Sequence, residues 1–317
     1  MPTIRPTYAR GGTLLPVLLA GMFIALGSCT KNIDLDLPAY ESEVVVEGYV
    51  NDELPLFNYF VLSRSTAFFD PNLNATNIPN ASILVEEGDV LENGRDTVWQ
   101  RQWQLQELQP DVFLPDSALD STFALPSFYL DPTQTWVGKP GHVYRATIAI
   151  PGQDTIRTQT SIPERDVPLD SITYELEPTN DTLRGLVRYH FQEPPGLGDS
   201  YRFMAIKALP LDPTRRSGQG FFGWGNFNLN FVVDDQTIDG EYRSLTTGLE
   251  IAVDDSLTVF LNKIDRTSYA YWESFFDARD NGGPFAQPIN PKSNVQGALG
   301  AFTGMNVSYI DTVVQKP

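Results

Sequence analysis

The chain has 317 residues and carries 40 acidic against 22 basic side chains, a formal net charge of −18. That balance argues against nucleic acid, whose phosphates it would repel, and against a basic patch docked on anionic lipid. A single cysteine, Cys29, excludes an intramolecular disulfide and a cysteine-based metal cluster.

The N-terminus reads as a processing segment. Arg5 and Arg10 precede an apolar stretch from Leu14 to Leu26, too short to span a bilayer but right for a signal-peptide core. It ends in Leu26-Gly27-Ser28-Cys29, which resembles the lipobox of bacterial lipoproteins. Residues 1–28 are then expected to be removed and Cys29 to be lipidated. Residues 29–43 would form a tether, holding the protein to a membrane without a spanning helix. The alternative is an ordinary signal peptide with Cys29 a leftover thiol near the cleavage point.

From Val44 the pattern turns to β-structure. Val44 to Val50 is a β-branched run around Gly48, and Asn58 to Arg64 is a second strand. Asp70 to Asn80, rich in Asn and Pro, reads as a loop. Ala81 to Glu86 is a third strand, and Glu92-Asn93-Gly94-Arg95 is a hairpin turn before Thr97 to Trp103. Gln104 to Asp131, broken by prolines and without a clean period, is expected to be a long irregular insertion. Tyr144, Ala146, Ile148 and Ile150 share one side of a strand, and Pro151-Gly152 turns the chain into Thr155 to Thr160. A boundary is expected near Ile162 to Pro168, dividing an Ig-like sandwich at 44–162 from a β-rich domain at 163–317.

Beyond that boundary, strands are expected at Ser171 to Leu176, Arg184 to Phe191 and Tyr201 to Leu209, with a tight loop at 193–199. Asn226 to Val233 alternates Phe227, Leu229, Phe231 and Val233 against Asn226, Asn228 and Asn230. Glu250 to Asn262 reads as two short strands, or one bent one, around Asp254-Asp255. One helix follows. Asp265 is its N-cap, Tyr269, Trp272 and Phe276 recur at helical spacing, and Asn281-Gly282-Gly283-Pro284 ends it. Val295 to Tyr309 closes the chain in a last strand. The expected fold is mainly β: two β-sandwich-like domains, the second carrying one amphipathic helix.

Chemistry-bearing material is sparse. Only His142 and His190 could serve a Ser-His-Asp triad, and each reads better as a structural histidine. The carboxylate doublets Asp234/Asp235 and Asp254/Asp255 would point to opposite faces of an extended chain, against a cooperative pair. No catalytic residue, cofactor or metal site is expected. The most suggestive surface is Gly220-Phe221-Phe222-Gly223-Trp224-Gly225-Asn226, where Phe221, Phe222 and Trp224 could form a binding surface, with Phe285 a further candidate. These rings could equally fold inward to cap the second domain.

Several segments together resemble a known family. They are Ile33-Asp34-Leu35-Asp36-Leu37-Pro38, Val45-Val46-Glu47-Gly48-Tyr49-Val50 and Ser63-Arg64-Ser65. Further along stand Ile162-Pro163 with Leu169-Asp170-Ser171-Ile172, Phe191-Gln192-Glu193-Pro194-Pro195-Gly196 and Tyr201-Arg202-Phe203. The last are Gly283-Pro284-Phe285-Ala286-Gln287-Pro288 and Ser293-Asn294-Val295-Gln296-Gly297-Ala298-Leu299-Gly300. They resemble the Bacteroidota lipoproteins with domain of unknown function 4249. Glu193, where that loop more often has Asp, and Ser200, where an aromatic is expected, depart from the pattern.

The resemblance names no ligand and no activity. It implies a place at the outer membrane beside a TonB-dependent receptor as partner; orientation is left open, with surface exposure preferred over the periplasmic face. The expectation is therefore a non-enzymatic, lipid-anchored binding or accessory protein in nutrient uptake. A hydrolase using paired carboxylates and a structural or adhesive surface protein are the alternatives.

Overall fold

A computed structural model describes residues 41–66, 76–91, 96–108, 127–179, 182–208, 227–281 and 290–316. Its first strands are β1 (Val44–Asn51), β2 (Tyr59–Arg64), β3 (Ser82–Val90), β4 (Thr97–Leu108), β5 (Phe128–Leu130), β6 (Val143–Ala149) and β7 (Ile156–Ser161). Then come β8 (Leu169–Thr179), β9 (Thr182–Gln192), β10 (Ser200–Ala208), β11 (Phe227–Asp234), β12 (Tyr242–Ala252) and β13 (Ser256–Ile264). The helix α1 (Arg266–Asp280) precedes β14 (Val295–Gln296) and β15 (Leu299–Val313).

The fold is mainly β and sandwich-like, as expected. One run of hydrogen-bonded strands has the order β11-β10-β13-β15-β1-β2-β5-β4-β3-β6-β7-β14. A separate three-stranded sheet has the order β12-β9-β8. Alternation along the strands decides what each face buries. In the first half, Val44, Val46 and Val50 of β1 and Phe60 and Leu62 of β2 pack against Ile83, Val85, Trp103, Tyr144 and Ile148. In the second half, Tyr201, Phe203, Val259 and Leu261 pack against Val187, Tyr189, Phe191 and Ile251 of the three-stranded sheet. The alternation in β11 holds too: Leu229, Phe231 and Val233 pack against this second core.

The segment Gln104 to Asp131 departs from the expected insertion. β4 continues through Leu108, and Phe128–Leu130 forms β5 between β4 and β2. The outward side chains of β4 are Gln100, Gln102, Gln104 and Gln106, so its buried face, Trp103 and Leu105, carries too little apolar signal to read as a strand. Gln106, Glu107 and Leu108 pair with Leu130, Tyr129 and Phe128.

The expected division after residue 162 falls in the link between β7 and β8. Apolar clusters lie on both sides of it, but Val295 and Phe302 belong to the first cluster although they come from the far side. The residues Ser42–Pro317 form one compact unit. The reason is β15. Its residues Leu299 to Met305 run parallel to β1, and Met305 to Val313 run antiparallel to β13. One strand thus serves both halves end to end. The link itself is pinned to β15: Asn306 donates to Pro163 O at 3.1 Å and to Asp166 at 2.7 Å, and Leu169 N donates to Ser308 Oγ at 2.8 Å.

At the far end of the first core, Glu87 is fully buried, with Lys139 Nζ at 3.2 Å, His142 Nδ1 at 3.3 Å and Arg101 Nη1 at 3.4 Å. The Tyr144 hydroxyl donates to it at 3.2 Å. The three cationic or potentially cationic groups are themselves partly exposed, so water screens much of their charge. Glu87→Gln is expected to cost about 1–3 kcal/mol in urea unfolding. An unchanged midpoint would show that the carboxylate's charge contributes nothing there.

A buried polar cluster beneath the helix

α1 begins where Asp265 caps it, accepting from Thr267 N at 2.8 Å and Ser268 N at 2.9 Å, an arrangement typically worth about 1 kcal/mol. Asp265 also accepts from Ser161 N at 3.2 Å and is hydrogen-bonded to Thr160 Oγ1, which in turn accepts from Gly304 N at 2.7 Å. The cap therefore fixes the helix start to β7 and β15 as well as to its own first turn. Tyr269, Tyr271 and Trp272 then pack on Tyr49, Ile264, Ala301 and Met305. The helix was expected on the second domain, yet it also covers β1, on the face opposite the first core.

The strand residues on that face include two charges. Glu47 follows the parity of Tyr49 on β1, and Arg202 that of Met204 on β10. Arg202 is only 1% exposed. Its guanidinium lies 3.6 Å from the Trp272 ring centre and 5.3 Å from that of Tyr49. Nε donates to Asn230 Oδ1 at 2.9 Å, and Nη1 has no hydrogen-bond partner among the described residues. Asn262 holds the Arg202 backbone, donating to its carbonyl at 3.2 Å. Trp272 Nε1 donates to the buried Thr303 Oγ1 at 3.0 Å, and the Tyr49 and Trp272 rings stack at 6.3 Å.

Glu47 retains some exposed area but lies deep, and depth governs its ionisation. Burial pushes its carboxyl up to about 8, against the hydrogen bond from the Tyr49 hydroxyl and the charge of Arg202, which both act to lower it. Burial also holds the phenols of Tyr49, Tyr59 and Tyr271 well above their ordinary range. At neutral pH the cluster is a guanidinium among neutral acids and rings. Two segments that carry the family resemblance, Val45–Val50 and Tyr201–Phe203, meet here.

A third such segment is likewise structural. Glu193, with no exposed area, accepts from Gly240 N at 2.6 Å and Tyr201 OH at 2.9 Å, and burial raises its carboxyl. Asp235 accepts from Gly198 N at 2.6 Å and Asp199 N at 2.7 Å, closing the Pro194-Pro195-Gly196 loop. Asp199 pairs with the buried Lys263 at 2.6 Å. The sequence departure at Glu193 therefore sits at a position that ties the loop to β10.

Cys29, Phe221, Phe222, Trp224 and Phe285 lie outside the described residues. The two histidines stand far apart in role. His142 lies 2.9 Å from Asp89 and 3.3 Å from Glu87, whereas His190 sits on the outer face of the three-stranded sheet between Thr173 Oγ1 at 2.7 Å and Ser244 Oγ at 2.8 Å. The carboxylate doublets are split as expected. Asp234 pairs with Arg266 while Asp235 closes the loop, and Asp254 turns at φ 68° while Asp255 accepts from Ala252 N and pairs with Lys207. Sequence reasoning missed Glu47 and Arg202 as a joint site. The available signal was a charge on a strand whose neighbours on both faces are apolar.

The model of the family described as "Domain of unknown function (DUF4249)" matches residues 30–310. No curated protein matches the chain. Among solved structures, a DUF3823 family protein from Bacteroides uniformis ATCC 8492 is similar at 9% identity and a TM-score of 0.23, over 86% of this chain and 100% of that one. The tetra-tandem repeat in the extending region of a large adhesion protein is similar at 11% identity and a TM-score of 0.19, over 86% of this chain and 50% of that one. Scores this low carry no argument about function.

Proposed function

The chain belongs to the DUF4249 family, and from that premise we propose that it is a lipid-anchored binding or accessory protein of the outer membrane, working with a TonB-dependent transporter. The observation that carries this reading is where the resembling segments spend their polar groups. Glu47 bonds Tyr49 within β1, Arg202 bonds Asn230 of β11 and lies over Trp272 of α1, and Glu193 bonds Tyr201 of β10. A chain that invests these residues in internal contacts of its scaffold is suited to present a surface rigidly. The Leu26-Gly27-Ser28-Cys29 segment supports a lipid at the start of that scaffold.

The test is a pull-down of the tagged chain from detergent-solubilised outer membranes, with Cys29→Ser as control. The expected result is enrichment of a TonB-dependent receptor with the parent, and a variant that leaves the membrane fraction. A parent that brings down no receptor removes the transporter from this reading. A Cys29→Ser chain that stays membrane-bound as firmly as the parent removes the lipid anchor.

A further inference from the structure

We propose that Glu47 and Arg202 form a proton-operated clamp on α1: with Glu47 protonated, Arg202 stays on the Trp272 face and holds the helix, and loss of that proton draws Arg202 toward Glu47 and loosens it. Two geometric facts carry the idea. Arg202 Nε donates to Asn230, and Nη1 is left without a hydrogen-bond partner among the described residues. It therefore has a buried donor still to give. Glu47 lies on the same face of the sheet, close enough for the guanidinium to act on its ionisation, yet the two form no ion pair within 4.0 Å. Among the described residues, the groups facing Glu47 are Tyr49 on its own strand, Tyr59 on β2, Arg202 on β10 and Tyr271 on α1. The three phenols stay protonated well beyond neutral pH, so Glu47 is the group of this set that changes charge near it.

The direction follows from linkage. The folded chain keeps the Glu47 proton up to about pH 8, whereas an ordinary carboxyl releases it near 4.5. The stabilisation is complete below the lower value. It falls as pH rises through the window between them, and changes no further above it. The proton goes to solvent, and the electrostatic attraction of the new carboxylate for Nη1 competes with the cation–π contact to Trp272.

Hydrogen exchange of the full chain at pH 6 and pH 9, corrected for intrinsic rates and referred to β9, tests the clamp. In the parent, α1 amides are expected to lose protection by on the order of tenfold or more at the higher pH. Glu47→Gln, which cannot ionise, keeps α1 equally protected at both. Tyr49→Phe removes a hydrogen bond that favours the ionised form, so it moves the midpoint to higher pH. A parent helix with the same protection at both pH values, or a Glu47→Gln helix that loosens as much as the parent's, overturns the clamp. Should Glu47→Gln fail to fold, a Tyr49→Phe midpoint that does not rise overturns it equally.

Discussion

Gly300→Ala is expected to destabilise the folded state severely, with its urea midpoint far below the parent's or its cooperative transition lost. Gly300 has φ 109°, a conformation that side chains rarely adopt, and a Cβ built there would lie 1.8 Å from Val46 O. The carbonyl belongs to β1, and Val46 pairs with Gly300 in the parallel ladder. Neither strand can retreat: β1 is held on its other side by β2, and β15 continues into its pairing with β13. Strain and lost pairing act together, so a cost above about 4 kcal/mol is expected, against a total stability of about 5–15 kcal/mol for a natural domain. Gly248→Ala is the control, because nothing lies within 4 Å of its added Cβ. Circular dichroism and urea unfolding of the pair check the expectation, and a Gly300→Ala chain as stable as Gly248→Ala would refute it.

The second large effect is at Trp272. Truncation to Ala is expected to cost about 3–5 kcal/mol in urea unfolding, because the ring is buried against Tyr49 and its Nε1 bonds Thr303. The same change strips the nearer covering face from Arg202, leaving a buried guanidinium with only the Tyr49 ring, at 5.3 Å. The two residues should therefore be coupled. In a double-mutant cycle with Arg202→Met, the second substitution costs less once the first is present, by about 1–2 kcal/mol. Strict additivity would mean that the ring and the guanidinium contribute independently.

Local pattern made much of this fold readable. The alternation of Leu229, Phe231 and Val233 against Asn230, the turn at Asp254-Asp255 and the Asp265 cap each declare their element within a few residues. What stayed hidden was non-local. Nothing in Leu299 to Met305 announces a parallel partner some 250 residues earlier in the chain, because pairing is set by which strands need covering after collapse. The same holds for the cluster beneath α1. Glu47 inside a valine-rich strand and Arg202 between Tyr201 and Phe203 are each unremarkable alone, and only the meeting of β1, β10 and α1 makes them one site. Phe221, Phe222 and Trp224 stand out by their glycine context and Phe285 by its family-resembling segment, and all four lie outside the described residues.

The strand shared by both halves also decides how the molecule answers a mechanical load. A pull on the chain ahead of Ser42 enters the fold at the start of β1, and a pull on the C-terminus enters at the end of β15. Those two strands run parallel through seven paired positions, Val45 with Leu299 to Asn51 with Met305. Opposed forces on them slide one strand along the other, so the ladder's hydrogen bonds are strained together instead of opening one by one as in a hairpin pulled apart. Loaded between its two ends, the fold therefore meets the force with this ladder in shear.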